Sequence, residues 1–270
     1  MSSRGKPIFI IPVLVIFCFF FLYPLVVLII TSVKSGNGLT LANYSQILTN
    51  HYYFKALVNS LWLSLSVTIT ALILSGILAF FLARHEFPGK SLYFTLLTFP
   101  ISFPGVVVGF MIIILFGSTG ILPLLSQTLL GEKSMVFAYT IKGIFLAYLY
   151  FEIPRIIMTL YGAIKEFDRS LEEAARTMGA TSWQAIRYVV LPTVFPIFVS
   201  AGALAFSTSM SAFGTAYTLA DQFEILPIVM YNELTLNFKI ETASAIAVVI
   251  GLICVLMNMG YRTMLERVKR

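Results

Sequence analysis

The sequence has little charge. Asp, Glu, Lys and Arg make up 11% of its 270 residues, against about 25% in an ordinary soluble domain. It has two histidines and two cysteines. His51 and His85 are isolated, and Cys18 and Cys254 lie far apart inside apolar runs. These residues give no disulfide framework and no ligand spacing for a metal. The thiols read as small buried hydrophobes. No Ser/His/Asp grouping for nucleophilic catalysis is visible. The net charge of +6 is scattered through short segments rather than gathered in a basic stripe. That speaks against nucleic acid and for an anionic membrane surface. Gly89-Lys90-Ser91 imitates the end of a phosphate-binding loop, but the pattern needs a glycine where Arg84 stands. Nothing marks the chain as an enzyme.

What is abundant is apolar. Hydrophobic residues make up 59% of the chain, well above the usual share of about 45–50%. About 20 mostly apolar residues span a bilayer as a helix. Six stretches qualify: Pro7–Thr31, Leu57–Leu82, Leu92–Phe116, Val136–Ile157, Thr193–Leu219 and Glu241–Tyr261. The first follows Arg4 and Lys6 as a signal peptide would, but it exceeds the ~7–15 residues of a signal core and has no A-x-A site. It reads as a retained span.

An even number of spans places both termini on one side. Arg4, Lys6, Arg84, Lys90, Arg155, Lys165, Arg169, Arg176, Arg187, Arg262, Arg267, Lys269 and Arg270 fall on that side, whereas Lys34, Lys55, Lys133 and Lys239 fall on the other. The positive-inside rule then makes the termini cytoplasmic. Asp221, Glu224 and Glu233 would face outward. Lys142 reads as a snorkelling residue near the outer end of the fourth span. Glu152 and Arg155 read as an i, i+3 pair near its inner end; a role in the pathway is the other reading of these ionisable residues.

Several spans contain helix-disturbing residues. Pro100-Ile-Ser102-Phe-Pro104-Gly105 interrupts the third, because proline removes a backbone donor and crowds the preceding turn. It reads as a break beside a cavity or as a packed kink. Gly105-x-x-x-Gly109 allows close helix approach. The fifth span carries Ser200, Gly202, Ser207, Thr208, Ser209, Ser211, Gly214 and Thr215. These suit helix contacts and a polar path equally.

The segment 164–192 is the longest on the terminal side. Ser170 and Glu173 have capping-box spacing, as do Thr181 and Gln184. Leu171, Ala174, Ala175 and Met178 recur as one apolar stripe. Gly179 stands where a left-handed helix cap is expected. The pattern predicts two short helices around a glycine elbow, with Ala174 and Ala175 as a close-contact face and Trp183, Ile186 and Val190 on the second helix. Such a pair suits a groove on a partner.

Glu173-Ala174-Ala175, Gly179, Val189 and Leu191-Pro192 resemble the EAA motif of binding-protein-dependent ABC importer permeases. That motif is E-A-A, three residues, Gly, nine residues, Ile, one residue, Leu-Pro, and Val189 in place of Ile is the one departure. The resemblance covers the whole chain through its six-span layout. It implies an all-α, polytopic membrane protein of the type I importer permease fold, with 1–270 as one transmembrane domain and 164–192 as its cytoplasmic coupling loop. Glu173, Ala174, Ala175, Gly179, Trp183, Leu191 and Pro192 would couple to the ATPase. The implied partners are ABC ATPase subunits that bind ATP and Mg, a second permease (a homologue or another copy), and an outer solute-binding protein. The implied location is a bacterial inner membrane.

The sequence around the motif, Glu173-Ala-Ala-Arg-Thr-Met-Gly-Ala180, is similar to the branch handling polyamines, phosphonates, ferric iron, sulfate and thiamine. Polyamine permeases of that branch have acidic residues near the positions of Gly105 and Ser211-Ala212, which are neutral here. A buried polycation would need such carboxylates. Ser209–Tyr217 with Glu224-Ile-Leu-Pro227 resembles 2-aminoethylphosphonate permeases. Ser102, Gly105, Ser209, Ser211, Gly214 and Thr215 are the candidate pathway residues. A secondary transporter is the alternative of another class. It would need mid-span carboxylates or matched repeats, and neither is visible in the sequence.

Overall fold

A computed structural model describes residues 10–36, 38–220 and 223–268. Arg4, Lys6, Asp221, Lys269 and Arg270, and the expected start of the first span at Pro7, lie outside the described residues, as does the side chain of Arg267. Among the described residues, six helical stretches are long and apolar enough to cross a membrane: Ile11–Ser32, His51–Arg84, Gly105–Leu130, Ile141–Lys165, Ser182–Ser211 and Ile240–Met264.

The helices fall in this order. The first span is α1 (Ile10–Phe17) and α2 (Tyr23–Ser32), joined by a π turn at Cys18–Leu22. A two-strand hairpin, β1 (Lys34–Ser35) and β2 (Gly38–Leu39), and α3 (Ala42–Thr49) lead to α4 (His51–Arg84). Then come α5 (Lys90–Thr98), α6 (Gly105–Phe116), α7 (Ile121–Leu130) and α8 (Ile141–Lys165). The remainder is α9 (Arg169–Thr177), α10 (Ser182–Ala185), α11 (Leu191–Ser211), α12 (Gly214–Leu219), α13 (Leu226–Thr235) and α14 (Ile240–Val268).

The chain forms two compact units. One holds residues 1–57 and 225–252, and the other holds 58–224 and 253–270. In the first, Asn43 Nδ2 donates to the carbonyls of Ser32 and Lys34 at 2.9 and 3.0 Å, fixing α3 under α2. Glu233 on α13 accepts from Asn237 Nδ2 at 3.1 Å and stands 3.8 Å from Lys239 Nζ. The first span has large apolar side chains in the open, such as Phe20 and Val13. The second unit contains every candidate site residue.

Two expected spans are discontinuous. The expected helix Leu92–Phe116 is α5, a 3₁₀ turn at Phe99–Ser102, and then α6. Phe103 is extended, with ψ 135°, because the ring of Pro104 disfavours a helical residue before it. The long apolar stretch therefore starts at Gly105 and runs on to Leu130. The expected helix Thr193–Leu219 is interrupted at Ala212, which is extended with ψ 99°. Its helix begins earlier than expected, at Ser182, through a π turn at Ile186–Val190 ahead of Pro192. Pro192 has no N–H, so the turn before it cannot close with the normal bond.

The two breaks meet. A Cβ on Gly105 would stand 2.7 Å from Thr215 Oγ1 and 3.0 Å from the Thr215 backbone N. A Cβ on Gly109 would collide with the Thr218 hydroxyl, and one on Gly214 would press on Val106. The Gly-x-x-x-Gly spacing thus serves the contact of α6 with α12. Elsewhere Gly202 lies against Leu72 of α4, and Gly76 of α4 against Phe198 of α11. At the fifth-span break, the Ala212 carbonyl accepts from Tyr148 Oη at 2.6 Å.

Replacing Gly109 by valine should lower the melting temperature of the detergent-solubilised protein, at a cost of ~1–3 kcal/mol for overpacking. Gly162→Ala, where no atom lies within 4 Å of an added Cβ, should not. Equal melting of both variants would show that the α6–α12 contact is looser than drawn.

Candidate functional site

The segment after α8 has a capped beginning and a locked elbow. Asp168, not Ser170, is the N-cap of α9: its carboxylate accepts from the Ser170 amide at 2.9 Å. The expected Ser170–Glu173 capping box therefore starts two residues too late, since Ser170 is already helical. α9 ends in a Schellman motif. The Gly179 amide donates to Arg176 O at 3.0 Å and the Ala180 amide to Ala175 O at 3.1 Å. Gly179 has φ +91°, a conformation that glycine alone adopts without strain. The second box forms as expected, with the Thr181 amide donating to Gln184 Oε1 at 2.8 Å and the Gln184 amide to Thr181 Oγ1 at 3.3 Å.

Two expectations need correcting. The apolar stripe on α9 splits: Ala175 is buried, while Leu171, Ala174 and Met178 are exposed. Ala174 and Ala175 therefore do not share one contact face. The second helix is also not a separate piece. α10 continues through the π turn into α11, so Trp183, Leu191 and Pro192 belong to one helical rod with the fifth span. Met178 is 84% exposed and Trp183 67% exposed. Glu173 is exposed as well.

The sequence reading missed how α9 is tethered. Glu172, beside the motif glutamate, pairs with Arg84 at the end of α4 at 2.5 Å, and both side chains are largely covered. Arg84 also lies over the Phe80 ring, 5.0 Å from its centroid. Arg169 Nη2 donates to the Ala83 carbonyl at 3.2 Å. Charged residues at a helix end and in a following loop were the available signal, but sequence alone does not pair positions 88 residues apart.

The candidate pathway residues also divide. Gly105, Gly214 and Thr215 come together at the crossed breaks. Ser209 is buried, and its Oγ has no hydrogen-bond partner among the described residues. Ser102 is exposed on the 3₁₀ turn. Ser211 is exposed, and its hydroxyl donates back to Ser207 O at 2.9 Å.

Glu152 and Arg155 need a further correction. The fourth span is α8, Ile141–Lys165, shifted along the chain from the expected Val136–Ile157. Glu152 is therefore near its middle, not near its inner end, and a mid-span carboxylate exists after all. The Glu152 side chain is 0% exposed. Its Oε1 accepts from Thr208 Oγ1 of α11 and stands 3.4 Å from Arg155 Nη1. Its Oε2 is buried without a hydrogen-bond partner among the described residues. Lys142 is the second residue of α8, with Nζ 5.6 Å from the Phe137 ring centroid.

Outside the spans, the Ser170 backbone amide holds the Asp168 carboxyl below the usual carboxylate range, and the Ser170 side chain adds to this. A lowered native pKa stabilises the helix start above the ordinary aspartate value of ~3.9 and loses that effect as pH falls through the lowered value. Hydrogen exchange in the first turn of α9, corrected for intrinsic rates, should be flat from about pH 7 to pH 5 and rise only under stronger acid. Asp168→Ala should exchange faster there already at neutral pH. Unchanged protection in that variant would remove the cap from this account.

The family described as "Binding-protein-dependent transport system inner membrane component" matches residues 71–270. The chain is 29% identical over 257 residues to the sulfate transport system permease protein CysT of Escherichia coli, covering 94% of this chain and 90% of that protein. It is 26% identical over 253 residues to PhnU of Salmonella typhimurium, named for 2-aminoethylphosphonate transport, covering 92% and 87%. It is 32% identical over 178 residues to the molybdenum transport system permease protein ModB of Escherichia coli, covering 63% and 76%. Its fold follows a chain of a bacterial ABC transporter that imports alginate, with TM-score 0.83 at 16% identity over 97% of this chain and 95% of that one. With six apolar helices and a family match over its last 200 residues, the chain belongs to the binding-protein-dependent inner membrane components, the multi-pass permease subunits of ABC importers.

Proposed function

We propose that this permease carries a small tetrahedral oxyanion across the inner membrane, of the class that holds 2-aminoethylphosphonate, sulfate and molybdate. The observation that carries this reading is the chemistry shared by its relatives. Those named for sulfate and for 2-aminoethylphosphonate cover more than nine-tenths of the chain at similar identity, and molybdenum, the cargo of a third, travels in water as a tetrahedral oxyanion. The site supports it. Gly105 and Ser211-Ala212, at the two breaks, are neutral. The nearby carboxylate of Glu152 is enclosed and bonded rather than presented to a cation.

In this reading the chain pairs with a second permease, and a binding protein delivers solute from outside. ATPase subunits, which hold the ATP and Mg, grip Asp168–Pro192 on the cytoplasmic side, where both termini lie. Leu171, Met178 and Trp183 are exposed there and would enter the ATPase cleft, with Glu173 and Ala174 beside them. ATP binding can switch the spans only by favouring one arrangement over the other. The tether of Arg84 to Glu172 and the unbroken rod from Ser182 to Ser211 give that preference two routes into the membrane.

Two measurements test this. Radiolabelled sulfate, molybdate and 2-aminoethylphosphonate are offered to the assembled importer in a strain lacking its own carriers for them, with spermidine as comparison. Uptake of at least one oxyanion and none of spermidine is expected, and the reverse would overturn the solute class. Separately, Gly179→Val forces a β-branched residue to φ +91° with no atom within 4 Å of its Cβ. Within this chain the strain is then in the backbone, at a cost of ~1–2 kcal/mol or more. Transport should fall while membrane insertion stays normal; normal uptake would sink the coupling role.

A further inference from the structure

We infer that Arg155 is an anion-contact residue of the solute path, held in place by Glu152. The inference rests on the oxyanion reading above and names the group that would meet the solute. Arg155 is fourteen residues into α8, ~21 Å along a helix of ~37 Å, so it sits at hydrocarbon depth. The pair it forms with Glu152 is one-sided. The carboxylate side chain is 0% exposed and the guanidinium 41% exposed. A pair serving only to hold two helices together would enclose both partners. Here the negative group is sealed beneath Thr208 of α11, and the positive group is presented.

The guanidinium lies between an acid and an aromatic ring. Its Cζ is 5.9 Å from the Phe151 ring centroid. Thr159, one turn further along α8, is exposed, and its hydroxyl donates to the Arg155 carbonyl at 3.0 Å. Ser207 Oγ accepts from Asn258 Nδ2 of α14 at 3.0 Å. A charged group and an exposed hydroxyl at this depth are costly against lipid and belong beside water or protein. Arginine offers five N–H donors in a planar fork. The link to Glu152 is long, at 3.4 Å, and uses Nη1. The remaining donors match two oxygens of a sulfate, phosphonate or molybdate group. Glu152 acts as the positioning residue. It fixes the cation and keeps the empty path near neutrality, so that an anion is passed on rather than trapped.

The test uses the complete importer in proteoliposomes with the oxyanion that the wild type takes up. Arg155→Gln, Arg155→Lys and the double variant Glu152→Gln with Arg155→Gln are compared. The double variant removes both charges and leaves no unpaired carboxylate, so it separates loss of contact from loss of folding. Removing a charged hydrogen bond to the solute should lower the number of anions moved per ATP about tenfold or more, in Arg155→Gln and in the double variant alike. Stimulation of the ATPase by the loaded binding protein should persist, and Arg155→Lys should recover part of the transport. Wild-type anion transport in the double variant would overturn the inference and leave the oxyanion reading standing. Loss of the second permease on co-purification from Arg155→Gln and the double variant would overturn it in favour of a contact between subunits. No oxyanion uptake by the wild type itself would remove both readings.

Discussion

A backbone carbonyl or amide in hydrocarbon has no water to turn to, so every interruption of a membrane helix must be satisfied by protein. This constraint organises the second unit. The third and fifth spans are both interrupted, at Phe103-Pro104 and at Ala212. Their following helices, α6 and α12, close on each other through Gly105, Gly109 and Gly214. A side chain at those glycines would separate the helices and open the broken backbone to lipid. Tyr148 closes the remaining gap by donating to the Ala212 carbonyl. The fourth span thus supports the fifth at its break, and one turn further along it Glu152 meets Thr208, one turn before that break.

The same rod that breaks at Ala212 begins outside the spans, at Ser182. The capping box at Thr181 fixes where it starts, and the positive φ of Gly179 fixes the angle at which α9 meets it. α9 in turn is tied to the end of α4 through Arg84–Glu172 and the Arg169–Ala83 bond. A force on α9 therefore has two mechanical exits, one into the second span and one along the fifth toward the break. The π turn at Ile186–Val190 lies on the second exit. Such turns inside α-helices are rare and frequent at functional sites, and this one sits between the elbow and the membrane part of the rod.

Much of this was legible in the sequence for a physical reason: apolar runs and helix punctuation are local. Six spans, Gly179 as a left-handed cap and the Thr181–Gln184 box follow from composition, spacing and the chemistry of glycine and hydroxyl groups. Hydropathy did not reveal that the helix of the third span breaks before Gly105 or that the fourth starts at Ile141, because residues 92–103 and 136–140 are themselves mostly apolar and run into the helices that follow. The split of the α9 stripe was hidden as well. Periodicity puts Ala174 and Ala175 on neighbouring positions, but it does not say which of them the packing of α9 covers.

The displaced fourth span had the largest consequence. Drawn at Val136–Ile157, it put Glu152 at a membrane edge, where a carboxylate needs little explanation. At Ile141–Lys165 the same residue is central and fully enclosed. A carboxylate there can persist only if other groups carry its charge and fill its lone pairs, and Thr208 and Arg155 do so for one oxygen. That requirement ties the fourth span to the fifth at the depth of the breaks. The enclosure is one-sided: the carboxylate is fully covered, while the guanidinium that pairs with it is partly exposed.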